Sequence, residues 1–118
     1  MGIRDLAKRL KADSADLDSE RLQHRFHDLG LTPINELTCR TKARVGGEVK
    51  RMSVAPRQGI PSFEVVVGDG TGDAVAVFTG RRSIAGVEHG RAIVIEGVAR
   101  EEHGRRIMLN PSYTLIAG

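Results

Sequence analysis

The segment 63–78 constrains the fold of this chain more than any other. It contains two valine-rich stretches on either side of Asp69-Gly70-Thr71-Gly72, whose glycines permit the positive φ angles of a tight turn. Apolar residues recur at every second position, which is typical of strands that bury one face, and the pattern predicts a hairpin closed over a core. Val66, Val75 and Val77 lie on the opposite face, which we expect to be partly covered or used. The core-facing set is Phe63, Val65, Val67, Ala74, Ala76 and Phe78.

Size and composition indicate a soluble globular protein. The chain has 118 residues, of which 40% are hydrophobic and 28% charged, and this allows one domain of ordinary size. No apolar run approaches the length that crosses a bilayer, so we expect no membrane partner. The single cysteine, Cys39, excludes an internal disulfide and a cysteine-based zinc site. A reducing compartment and hence the cytoplasm are expected, with Cys39 as an inert, at least partly buried thiol.

The first part of the chain has helical rather than alternating periodicity. Residues 2–12 predict a short basic amphipathic helix and residues 18–29 a second helix. His24 and His27 have no third ligand nearby, so we interpret them as surface histidines and expect no metal site. We therefore predict a helical extension over residues 1–39, followed by a β domain over residues 40–118.

From residue 42 onward, alternation and glycine-rich turns predict short antiparallel strands. The glycine pair Gly46-Gly47 inside the first strand suggests a bulge or a sharp coil. No long crossover helix is predicted, which favours a small barrel or sandwich. In order, we predict a strand at 42–53, a loop at 54–61 and then the hairpin. A connection at 80–90 follows, with room for one helical or 3₁₀ turn around Ile84. The rest is a strand at 91–100, a turn at 101–104, a strand at 105–109, and an interruption at 110–113.

This order resembles a known fold. The signatures are Val45-Gly46-Gly47-Glu48-Val49, the Asp-Gly-Thr-Gly turn, the strand ending in Phe78, the segment 84–90, Gly97-Val98, and the segment 108–113. The series resembles the OB-fold of the tRNA-anticodon-binding/helicase-wedge type, and small stand-alone actinobacterial OB-fold nucleic-acid-binding proteins in particular. The resemblance covers residues 42–117. It implies a mainly β fold, a five-stranded Greek-key OB-fold barrel with one or two short N-terminal α-helices.

The resemblance also implies a function and a site. Such barrels bind single-stranded nucleic acid, DNA or RNA, across their second and third strands, between the loops that correspond here to 54–61 and 101–104. The charge distribution agrees, because residues 1–39 carry a net charge of about −1 and residues 40–118 about +4. Arginine suits this role because it contacts phosphate with two N–H groups and stacks on bases. The candidate nucleic-acid-binding residues are Arg51, Arg57, Arg81, Arg82, Arg100, Arg105 and Arg106.

Two features weaken or compete with this interpretation. Aromatic platforms for bases are scarce, since Phe63 and Phe78 are expected in the core, so we expect binding to be weak and non-specific. Glu101 and Glu102 in the last loop oppose a polyanion. The alternative is a protein-interaction or assembly module, including a homodimer, that uses the outer face of the second and third strands. No P-loop, dinucleotide fingerprint or catalytic constellation is present, so we expect no enzyme, cofactor or small-molecule substrate.

Overall fold

The computed structural model describes residues 30–116, which form a mainly β fold. Strands and a single 3₁₀ turn are the regular elements of this range. The helices predicted for 2–12 and 18–29 lie outside the described residues. The elements are η1 (Ile34–Glu36), β1 (Lys42–Arg57), β2 (Ile60–Gly68), β3 (Asp73–Thr79), β4 (Ala92–Glu102), β5 (Arg105–Leu109) and β6 (Ser112–Leu115).

Five of the strands form a ring. Neighbouring strands follow the order β1-β2-β3-β5-β4, and β4 pairs again with β1, so the sheet returns to its starting strand. Only β3 and β5 run parallel among the paired strands of the described range, while β6 pairs with β4 on the edge opposite β1, before the part of that edge that pairs with β5. A closed ring of this kind is barrel-like and leaves few unpaired strand edges.

The predicted hairpin is confirmed and forms one wall of the core. β2 and β3 pair in register from Ser62 opposite Thr79 to Gly68 opposite Asp73. The inward residues are all buried, including Phe63 at 5% and Phe78 at 6% exposure. Together with residues of β1, β4 and β5 they form the main hydrophobic cluster inside the ring. Period-two alternation therefore identified the core face correctly.

Asp69 ties this hairpin to a segment that precedes the ring. Its Oδ1 accepts hydrogen bonds from the Thr71 backbone N–H at 2.8 Å and the Thr71 hydroxyl at 2.6 Å, as a turn-forming aspartate does. Its Oδ2 accepts the backbone N–H of Ile34 at 2.9 Å, and the Ile34 side chain is fully buried in the core cluster. Ile34 lies in η1, within the range 1–39 that was predicted to be a helical extension outside the β domain.

β1 is long because it serves two partners in succession. It pairs with β4 from Lys42 to Glu48 and with β2 from Glu48 to Arg57. The register shift lies between Val49 and Arg51, just after the glycine pair that had suggested it. Gly47 has a different role, because a Cβ at this position would overlap the backbone carbonyl of Gly68 on β2. The close approach of β2 beside the partner change at Glu48 therefore requires glycine at position 47.

The predicted loop at 54–61 is wrong. β1 continues to Arg57 and β2 begins at Ile60, so only Gln58 and Gly59 connect them, with φ angles of 52° and 79° that fit a type I′ hairpin turn. Pro56 stands opposite Pro61. In a two-residue hairpin this pair is a non-hydrogen-bonded one, so neither proline needs to donate an N–H and both fit the ladder.

Three further expectations need correction. β4 extends to Glu102, so the predicted turn at 101–104 shrinks to His103 and Gly104, again with positive φ angles. The connection at 80–90 had room for one helical or 3₁₀ turn around Ile84, and it contains a single hydrogen-bonded turn there, in which the Ile84 carbonyl accepts the N–H of Val87, without regular helix. Cys39 is exposed rather than buried, because it lies in the turn before β1, outside the ring. No helix between residues 30 and 116 is long and apolar enough to span a bilayer.

Candidate nucleic-acid interface

A row of paired residues crosses the outer surface of the ring over five strands, and we call it the outer row. Residues that pair directly across a sheet present their side chains on the same face. Val66, Val75 and Ile107 form its apolar centre, and an arginine stands at each end. In register, Arg51 of β1 pairs with Val66 of β2, Val66 with Val75 of β3, Val75 with Ile107 of β5, and Ile107 with Arg100 of β4.

The outward valines of the hairpin are largely buried in the region of the outer row. Val75 is 4% and Val77 0% exposed, although neither belongs to the core cluster inside the ring. They pack instead with Ile107, Leu109 and Val66 in a separate cluster on the outer surface. The face was expected to be partly covered or used, and the structure shows Val75 and Val77 buried and Val66 half-buried.

A cleft of about 270 Å³ gathers three of the predicted arginines at one end of the outer row. Arg51 comes from β1, while Arg105 and Arg106 follow the β4–β5 turn. Asp73 is the one acidic side chain in the lining, so the cleft carries a net positive charge. Arg106 also lies against Gly72, where a Cβ would stand 3.3 Å from its Nη1. The ring topology therefore brings together residues that are far apart in sequence.

A second cleft, of about 700 Å³, lies at the other end of the outer row. Arg100 lines it together with Arg40, and Val98 and Leu109 supply apolar surface. Arg40 adopts a φ of 68°, and its backbone N–H donates to the carbonyl of Ala99 at 2.7 Å. Sequence reasoning missed Arg40 because it precedes the first predicted strand, and no local pattern indicates that this turn returns to β4.

Two of the predicted arginines are held by glutamates from distant strands. Arg57, at the tip of the β1–β2 hairpin, forms an ion pair with Glu102 on the β4–β5 hairpin. Arg105 on β5 contacts Glu64 on β2, with 3.4 Å between Nη1 and Oε1. The hydrogen bond from Arg57 is the main cause that lowers the pKa of Glu102, and the charges of Arg57, Arg100 and His103 act in the same direction. Glu64 and Glu102 therefore contact two of the candidate arginines.

The remaining predicted arginines lie apart. Arg81 and Arg82 are exposed in the turn that follows β3, and neither lines either of the two clefts. This turn is fixed at its start by the Gly80 N–H, which donates to the Pro61 carbonyl at 2.8 Å. The structure thus brings Arg51, Arg105 and Arg106 together, places Arg100 at the far end of the outer row, and leaves this arginine pair outside the clefts.

No aromatic ring lies in the outer row. Phe63 and Phe78 are buried in the core as expected, and Tyr113 is the most open ring of the described range, at 40% exposure. Tyr113 packs edge-on against Phe78, with ring centroids 5.7 Å apart and planes at 82°, at a distance along the sheet from both clefts. Among residues 30–116, no group of three or more histidine, cysteine, aspartate or glutamate side chains is placed to hold a metal ion.

A comparison with known protein families finds no family whose model matches the chain, and a search of curated proteins finds no match either.

Proposed function

We propose that the five-stranded ring is an OB-fold and that the chain is a non-enzymatic module that binds single-stranded nucleic acid weakly and without sequence preference. The ring order, with its parallel β3–β5 pair, supports the fold assignment. The observation that carries the function is the outer row, an apolar strip with Arg51 and Arg100 at its ends. In this arrangement the arginines bind phosphates, and the half-buried Val66 is the apolar side chain of the row that a sugar or base can reach.

The dimensions of the outer row suit an extended single strand. Neighbouring strands lie about 4.8 Å apart, so the path from Arg51 to Arg100 measures roughly 19 Å around the curved outer surface of the ring, and a bound strand would follow that curve. A few nucleotides of single-stranded DNA or RNA cover such a distance. Without a ring platform, most of the binding free energy would come from phosphate contacts, which makes the affinity low and sensitive to salt. The exposed lone thiol is compatible with a cytoplasmic protein, which we propose as its location.

Fluorescence anisotropy with a labelled oligothymidylate at low salt tests this function. We expect binding in the micromolar range and a Kd raised about three- to tenfold by Arg51→Ala or Arg100→Ala. Arg91→Ala is the matched control, because Arg91 is exposed, carries the same charge and lines neither cleft. Absence of binding, or equal Kd values for all three variants, would contradict the proposed function.

A specific observation favours a second candidate, a protein-interaction module. Met52, Val54 and Ile60 on the β1–β2 hairpin are 36%, 48% and 47% exposed, which is unusual for apolar side chains this close together. The hairpin, rather than the largely buried valines of β2 and β3, would then contact a protein partner or a second copy of the chain. Light scattering after size exclusion separates this candidate: a dimer that Val54→Thr dissociates supports it, and a monomer at high concentration argues against a homodimer.

A further inference from the structure

We infer that the two ion pairs Arg57–Glu102 and Arg105–Glu64 form a clasp that closes the outer row, and that the phosphates of a single strand must displace the two glutamates to bind. The inference rests on the proposed function and concerns the regulation of the same site. Both pairs join residues more than 40 positions apart in sequence, and both join strands that are not neighbours at the point of contact.

The Arg105–Glu64 pair crosses the middle of the outer surface. β3 lies between β5 and β2 in the sheet, so a side chain that reaches from Arg105 to Glu64 must pass over β3. Arg105 alternates with Ile107, and Glu64 pairs with Val77, so both ends of the contact belong to the outer face. Arg105 also lines the same cleft as Val75. The guanidinium thus lies where a bound strand would have to cross.

The Arg57–Glu102 pair joins the tips of two hairpins. In the β1–β4 pairing, Glu48 lies opposite Ala92 and Lys42 opposite Val98. Strand β1 continues past the first of these ends to Arg57, whereas β4 continues past the second to Glu102. Because the pair forms all the same, the ends of the two hairpins must approach each other. Each side chain of the pair is about a quarter exposed, at 26% and 25%, so solvent ions reach the contact.

In the clasp, carboxylates and phosphates compete for the same guanidinium groups. Each carboxylate occupies the guanidinium that a phosphate would bind, and it also places negative charge in the path of a polyanion. Partly exposed ion pairs are weak, so several phosphates acting together can replace two carboxylates.

Neutralising the two glutamates tests the clasp. Glu64→Gln/Glu102→Gln should lower the Kd for oligothymidylate about three- to tenfold relative to the wild type at the same salt concentration. The matched control is Glu88→Gln/Glu96→Gln, which removes the same charge. Glu96 pairs with Lys42 and Arg44 away from the outer row, and Glu88 is exposed, lines neither cleft and has no ion pair within residues 30–116. The control should change the Kd less than twofold.

A second measurement follows the hairpins directly. Pyrene labels at positions 58 and 103, in a Cys39→Ser background, should show excimer emission that decreases in Glu64→Gln/Glu102→Gln and when oligothymidylate is added to the otherwise unchanged protein. The clasp would be overturned if both double variants lowered the Kd for oligothymidylate equally. It would also be overturned if excimer emission stayed the same in Glu64→Gln/Glu102→Gln and after oligothymidylate is added. Nucleic-acid binding itself would stand in both cases. Absence of oligonucleotide binding in every variant would instead overturn the proposed function, and the gating role with it.

Discussion

Asp69 shows how one side chain can connect parts of the fold that the sequence leaves unrelated. Its carboxylate organises the β2–β3 turn through Thr71 and holds the backbone of Ile34, whose side chain fills the core. The turn-forming role follows from the Asp-Gly-Thr-Gly pattern. The contact with Ile34 does not, because it depends on where the connector before β1 returns to the ring.

We expect Asp69→Asn to destabilise the protein by about 1–3 kcal/mol, because the amide nitrogen cannot accept the N–H of Ile34 and one buried donor loses its partner. Urea denaturation measures this loss. Asp73→Asn is the matched control, since Asp73 lies on the same hairpin, is exposed and loses the same charge. Equal stability of the two variants would show that the hydrogen bond from the Ile34 N–H to Asp69 Oδ2 does not stabilise the protein.

Gly47 precedes Glu48, the residue at which β1 exchanges β4 for β2. A methyl group there would overlap the Gly68 carbonyl, so we expect Gly47→Ala to cost more than about 2 kcal/mol or to prevent folding. Gly72→Ala is the comparison variant: its nearest neighbour is the flexible end of Arg106, and the expected loss is below about 1 kcal/mol. Thermal unfolding followed by circular dichroism ranks the two, and the reverse order would refute this role for Gly47.

At the scale of strands and turns, the alternation of apolar residues predicted strands correctly, whereas the two prolines led to a wrong strand end. The β2–β3 hairpin, its core face and β5 follow directly from period two and glycine turns. Pro56 and Pro61 suggested a loop, yet they lie opposite each other where neither N–H is needed. The ends of β1 and β4 were therefore placed too early, and the two hairpins that carry Arg57 and Glu102 extend further than expected.

The candidate site could be predicted only in part. Arginines near the hairpin turns are visible in the sequence, and three of them do meet in one cleft. Their glutamate partners are not, because Arg57 and Glu102 are 45 positions apart and the pairing depends on how both hairpins bend. Arg40 reaches the second cleft through a turn with no sequence signature. Local pattern thus predicts residue types at a rim, while the ring topology determines which of them meet.

The hairpin contact should depend on pH in one direction. The folded pKa of Glu102 is lowered, first by the hydrogen bond from Arg57, so the pair contributes fully above the unfolded pKa and is lost as the pH falls through the folded one. The charged groups that face it are Arg57 from β1, Arg100 from β4, and His103 and Arg105 from the β4–β5 hairpin.

We therefore expect excimer emission from labels at positions 58 and 103 to persist at neutral pH and to decrease below about pH 4. Replacing His103 by the labelled cysteine leaves Glu102 as the titrating group closest to Arg57. The same labels in a Glu102→Gln protein should show low emission that changes little over this range. A decrease centred near pH 6 or 7, or an identical titration in Glu102→Gln, would mean that another group controls the hairpins.

At the scale of the whole molecule, the ring places several of the basic residues of the chain near one another. Residues 40–118 carry a net charge of about +4, which by itself says little about partners. The strand order aligns Arg51 and Arg100 at the ends of one apolar row and gathers Arg105 and Arg106 near the first of them. A molecule built this way should bind polyanions on one surface rather than over its whole exterior.

The salt dependence of oligothymidylate binding tests this claim most directly. The logarithm of the binding constant should fall linearly with the logarithm of the salt concentration, by about 0.7 for each phosphate contact to a single strand. In Arg51→Ala/Arg100→Ala we expect the slope to be shallower by about 1.4, the value for two lost contacts. In the control Arg44→Ala/Arg91→Ala, which removes the same charge away from the outer row, we expect the wild-type slope. Equal slopes for both double variants would contradict the account, because the outer row would then not be where the phosphates bind.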